Sequence, residues 1–164
     1  MTFAEISRAY PEVLTLDSFL DIALKYKKPL LIETKHPVIS GNRVEEILVE
    51  TLRERQIQKS IGVSVMSFSW SAVEKIHRIA PEIPTTLLLS NRLRFLQARF
   101  SSATMIAPGI ELLRSDPLLI KKIENLGKST AVWTVDEASD VELAGNLGVD
   151  ILITNMPARA RSFL

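Results

Sequence analysis

Apolar positions in this chain follow two alternating patterns. Short runs rich in β-branched residues occupy positions 29–34, 62–68, 85–89, 103–107, 130–135 and 150–154 and read as strands. Between them apolar residues recur at helical spacing. Leu16, Phe19, Leu20, Ala23 and Leu24 form one stripe behind Thr15 as N-cap; Val44, Ile47, Leu48, Thr51 and Leu52 form a second; Val73, Ile76, His77 and Ala80 form a third. Later helices carry punctuation. Asp116-Pro117 supplies an N-cap and a first-turn proline, with Gly127 as the stop. Ser139 to Glu142 fits a capping box, and Gly148 closes that helix. Positions 93–100 fit either a short helix or an irregular connection.

Strand–helix–strand repetition implies parallel pairing through right-handed crossovers, so the fold class is α/β. Strand starts roughly 24 residues apart suit a wound sheet or a (β/α) barrel of TIM type. Neither a Gly-x-Gly-x-x-Gly turn nor a Gly-Lys-Ser/Thr loop follows any strand, which excludes the common nucleotide fingerprints. A closed barrel of this type needs eight strands. Six are legible, after an opening helix-like stretch. The expectation is a single partial barrel domain over residues 1–164, with about six of eight β/α units and the first two missing.

Composition narrows the function classes. The chain has 164 residues and no Cys, which removes disulfides, thiolate zinc sites and a cysteine nucleophile. A net charge of +1 gives no global reason to bind nucleic acid. No apolar run reaches the length of a membrane span, and the N-terminus lacks signal-peptide regions, so a cytoplasmic location is expected.

Side chains alternate along a strand, so Leu31, Glu33 and Lys35 share a face. Glu33 and Lys35 then stand together near the C-terminal end of a parallel strand, where barrel sites form. A carboxylate there suits a hard cation such as Mg²⁺ or Ca²⁺, and an ammonium suits a phosphate. A plain ion pair at a strand end is the alternative. A Schiff base on Lys35 is a further one, though Glu33 favours the charged ammonium. Trp133 stands near the end of its strand, as a wall for a carbon skeleton or as ordinary core. His36 can reach the rim of a site. His77 falls on an apolar helix face and reads as packing. Arg92, Arg94 and Arg99 read as a solvated basic face.

In order and spacing, several segments together resemble the glycerophosphodiester phosphodiesterase family. They are Leu14 to Asp17, Leu30 to Pro37, Val65 to Phe68, Ala107 to Gly109, Val132 to Val135 and Leu147 to Pro157. The resemblance implies a (β/α)8 barrel that uses a divalent cation, Mg or Ca, and two histidines to hydrolyse glycerophosphodiesters to glycerol 3-phosphate and an alcohol. By resemblance, Glu33 matches the metal-binding Glu of this strand, Lys35 the Lys beside the phosphate, and Trp133 the Trp on the glycerol side. Asn155 sits where the family often has Asp or Asn, without a catalytic duty. The family's opening His-Arg-Gly strand, its Glu-x-Asp strand and its second essential His find no match here, so no catalytic residue is assigned. The chain is expected to be inactive alone. A non-catalytic binding module, self-associating through open sheet edges, and one half of a complemented enzyme are the alternatives.

Overall fold

The computed structural model describes residues 2–163. It opens with α1 (Phe3–Ala9) and α2 (Leu16–Tyr26), followed by β1 (Leu30–Thr34), α3 (Arg43–Glu54), α4 (Ile57–Ser60) and β2 (Val63–Ser67). Next come α5 (Trp70–Ile79), β3 (Thr85–Leu89), a 3₁₀ turn at Arg92–Arg94 running into α6 (Phe95–Phe100), β4 (Met105–Pro108), α7 (Ile110–Ser115) and α8 (Leu119–Glu124). The chain ends with β5 (Ser129–Val132), α9 (Ala138–Asn146), β6 (Ile151–Leu152) and α10 (Pro157–Arg161). The strands form one six-stranded sheet in chain order, every pairing parallel. All six expected strands are present, and the sheet is an open section of a (β/α) barrel. The 93–100 stretch is a short helix behind its 3₁₀ turn.

The two faces of the sheet bury different things. Val63 and Val65 pack with Leu48, Leu52 and Ile76 from α3 and α5. Leu87, Leu89, Ile106 and Val132 pack with Leu113, Ile120, Ile123 and Val141 from the later helices. Leu20 and Leu52 are fully buried, each worth about 1.5–3 kcal/mol relative to exposure. On the opposite face Met66, Phe68, Leu88, Met105, Ala107, Ala131, Trp133 and Ile153 form a cluster without any helical residue. This is the inner face of the barrel section.

Several local expectations are corrected. The buried stripe of α3 is Glu45, Leu48, Val49 and Leu52, turned by about one position from the apolar count, and Ile47 is half exposed. The turn is possible because Glu45 is buried against a polar partner, His36. On α5 the buried residues are Ala72, Val73 and Ile76, which leaves His77 exposed in the last turn. A cation is favoured at that helix end. Asp116 closes α7 instead of opening α8, and its carboxylate accepts from Lys122 at 2.8 Å. The capping box at Ser139 does not form. Both Ser139 and Asp140 lie inside α9, where buried Asp140 accepts from Arg114 Nε at 2.8 Å and Nη2 at 2.6 Å. A sequence pattern for a helix start and one for a buried ion pair look alike here. The stops at Gly127 and Gly148 hold, with φ of 71° and 72°.

Past β5 and β6 the chain is tied by Asp136. Its Oδ1 accepts from Thr154 Oγ1 and from the Asn155 backbone N–H, and its Oδ2 from Asn155 Nδ2, all at 2.8 Å. The Asn155 amide, the Asn155 N–H and the Thr154 hydroxyl hold the Asp136 carboxyl below the usual carboxylate range. A lowered carboxyl stabilises the fold above its unfolded value of about 3.9, and that contribution is lost as pH falls through the lower folded value. Asn155→Ala is therefore expected to lower the thermal midpoint at pH 7, with the gap to the parent narrowing on acidification below about pH 4. Melting curves across that range check this; a gap that stays constant with pH contradicts it.

Candidate active site

The strand ends decide which side chains meet. Glu33 is in register with Met66, Met66 with Thr86, and Thr86 with Met105, so all four belong to one layer of the inner face. Glu33 is the acidic residue of the six strands. Its carboxylate is mostly shielded, 19% exposed, and accepts from Lys35 Nζ at 2.7 Å. Lys35, one residue past β1, is 76% exposed, so its ammonium keeps donors free on the solvent side. Glu33 and Lys35 thus stand side by side, as the alternation of the strand requires.

Phe68 follows Met66 by two residues and stands one layer higher on the same face. Its ring meets Trp133 edge to face, with centroids 5.2 Å apart and planes at 86°. Such contacts are worth about 0.5–1.5 kcal/mol beyond burial. The Trp133 indole donates Nε1–H to the Ala107 carbonyl at 2.8 Å, and the ring stays partly exposed. It therefore packs and presents a surface at once. Gly109 makes the room: a Cβ built there would lie 3.3 Å from the indole six-membered ring. The Trp133–Gly109 bridge keeps the two backbones in step.

His36 does more than touch the rim. Its Nε2 is 2.8 Å from Glu45 Oε1, with the imidazole 10% exposed and the carboxylate fully buried. The other Glu45 oxygen and the neighbouring Thr34 hydroxyl are buried without partners. Arg94 does not belong to a solvated face as the basic cluster suggested. It is half-buried, and its Nη1 donates to the Phe68 carbonyl at 2.7 Å. Sequence pattern missed both features: Glu45 looks like a surface residue of a helix, and Arg94 looks like one of several loop arginines. A histidine placed ahead of a helix whose stripe contains a Glu was the available signal.

The donors present do not match the cation implied by resemblance. Among the described residues no group of three or more His, Cys, Asp or Glu side chains is placed to hold a metal ion. Glu33 offers one carboxylate, with one oxygen engaged by Lys35. Hard cations take about six or more oxygens. These residues do not complete a cation site.

Gly109→Ala is expected to displace the Trp133 ring, because the added methyl must move it by a few tenths of an ångström. Overpacking of this kind costs about 1–3 kcal/mol. A shifted indole Nε1–H resonance and a lower thermal midpoint are the expected outcome. An unchanged indole signal contradicts the proposed fit.

Comparisons with known proteins bear on the family and the fold. Residues 2–159 match the glycerophosphoryl diester phosphodiesterase family. The chain is 33% identical over 162 residues to the Probable glycerophosphodiester phosphodiesterase 1 of Mycobacterium tuberculosis, covering 93% of this chain and 59% of that relative. It thus spans about three fifths of the curated relative's length. Among solved structures, a glycerophosphodiester phosphodiesterase from Parabacteroides distasonis superposes with a TM-score of 0.73 at 22% identity, over 90% of this chain and 62% of that one. An Oleispira antarctica phosphodiesterase, solved with its product sn-glycerol-3-phosphate, superposes with a TM-score of 0.74 at 17% identity, over 91% of this chain and 60% of that one. The structural likenesses support the fold, and the match over nearly all residues settles the family: this chain belongs to the glycerophosphoryl diester phosphodiesterase family.

Proposed function

We propose that this chain carries the substrate-holding share of a glycerophosphodiester phosphodiesterase site, for an activity that releases glycerol 3-phosphate and an alcohol. The observation that carries the reading is the Glu33–Lys35 pair on the same inner face as the Phe68–Trp133 aromatic pair. Lys35 Nζ would hold a phosphate oxygen, since an ammonium with free donors stabilises a phosphodiester anion. The Trp133 ring, anchored through Nε1 to Ala107, would seat the glycerol carbons against its exposed surface. Glu33 orients the Lys35 side chain through their 2.7 Å hydrogen bond. It would also be this chain's carboxylate toward the divalent cation of the family, which it does not hold by itself.

Hydrolysis also needs a group that activates the attacking oxygen and one that protonates the leaving oxygen. The chain has two histidines. His77 is exposed on α5, and His36 spends Nε2 on Glu45. Neither stands in the Glu33 layer. We therefore propose that the 164 residues bind the diester without turning it over.

Incubation with glycerophosphocholine and Mg²⁺ or Ca²⁺, assayed for glycerol 3-phosphate, is expected to give no product above background. Metal-dependent turnover that Glu33→Ala abolishes would overturn the proposal of inactivity, while placing Glu33 in the working site.

A further inference from the structure

A second feature stands beside the Glu33–Lys35 pair. A cleft of about 370 Å³ opens where β1 and β2 end, and its walls include His36, Phe68, Ser69, Ser71 and Arg94. Phe68 is the wall shared with Trp133. Among the described residues, no Asp or Glu lines the cleft.

Its polar groups are fixed and incompletely used. The His36 imidazole is nine-tenths buried, and its Nε2 is engaged by Glu45. Its Nδ1 has no hydrogen-bond partner among the described residues, yet it is not among the buried atoms sealed without one. The ring therefore keeps that nitrogen accessible and lines the cleft on a mount set by Glu45. Arg94 is half-buried and tethered through Nη1 to the Phe68 carbonyl. Among the described residues its hydrogen bonds go to the Phe68 carbonyl and, through its backbone N–H, to Asn91, and none goes to a carboxylate. A guanidinium held in place without a counter-charge, with donors to spare, is an arrangement that favours an oxyanion. Ser69 caps α5 and its hydroxyl meets that of Ser71 at 3.0 Å. The first amides of this ten-residue helix lack acceptors within it and add positive potential at the cleft wall.

We propose that this cleft is an anion-binding subsite, distinct from the Glu33–Lys35 pair, which takes an oxyanion such as a phosphate or carboxylate on the alcohol side of the substrate. The assignment of the anion to the alcohol rests on the diester reading. Binding of an oxyanion by Arg94 beside the His36 ring does not. Glu45 is a positioning residue: its contact with Nε2 fixes the imidazole that walls the cleft. The preferred diesters are those whose alcohol carries a negative group.

Inorganic phosphate titrated into the full chain, followed by ring ¹⁵N–¹H spectra of the histidines, tests the subsite. The chain has two histidines, and His77→Gln assigns them without touching the cleft. The expected result is a saturable shift of the His36 ring while His77 stays still. Arg94→Gln is expected to weaken phosphate binding about tenfold or more, as the loss of a charge-assisted hydrogen bond would, and Arg94→Lys to recover part of it. A His36 ring that phosphate does not move overturns the proposal, and so does an affinity that Arg94→Gln leaves unchanged. The wild-type measurement alone decides if the Arg94 variants do not fold. A second arm compares binding of a glycerophosphodiester with an anionic alcohol against one with a cationic alcohol. Loss of preference for the anionic one in Arg94→Gln assigns the subsite to the alcohol, and equal loss for both overturns that assignment. Failure of the diester reading leaves the phosphate response at His36 intact; failure of the subsite leaves the Glu33 and Trp133 results intact.

Discussion

Parallel register is the constraint on which the rest of this structure depends. Once β1 pairs with β2 so that Glu33 lies opposite Met66, every second side chain is committed to the inner face. Glu33, Met66, Thr86 and Met105 then share a layer, and Lys35 and Phe68 follow one step higher. A slip of one residue would send Glu33 into the helix-packed face with Ile32 and Val65, where a carboxylate has no partner. The hydrophobic cost of that slip holds the site residues at the mouth. Placement of the candidate site residues follows from burial of the opposite face.

Polar burial supplies what apolar packing cannot. His36 with Glu45 and Arg114 with Asp140 each place a charged or chargeable group where the surrounding helix is otherwise apolar. Removing one partner of such a pair leaves the other stranded, which is why these pairs fix orientation more than they add stability. The Asp136 clamp on Thr154 and Asn155 does the same for the last two strand ends, close to Trp133 in the chain. Asn155, which carried no duty by resemblance, has a structural one.

The sheet was legible because its signals are local. β-branched runs and glycine stops mark strands and helix ends, and Thr85–Leu89 is buried at all five positions. The Glu33–Lys35 contact follows from alternation alone, two residues apart. What the sequence hid were interactions between distant positions. His36 and Glu45 are nine residues apart, Arg94 and Phe68 twenty-six, and Arg114 and Asp140 twenty-six. Each turned a helix face, a basic loop or an apparent cap into something else. Trp133 could be read as core or as site wall because it is both: one edge is anchored to Ala107 and Phe68, and the ring stays partly exposed. The Gly109 notch that allows this arises from the bridge between two strand ends, and no local pattern announces it.

The central claim is that the chain holds a glycerophosphodiester at the strand ends through Lys35 and Trp133. A crystal structure of the 164-residue chain with glycerol 3-phosphate tests it most directly. The account predicts the phosphate within hydrogen-bond distance of Lys35 Nζ and the glycerol carbons against the Trp133 indole. A ligand bound elsewhere, with both of these side chains free of it, would contradict the account.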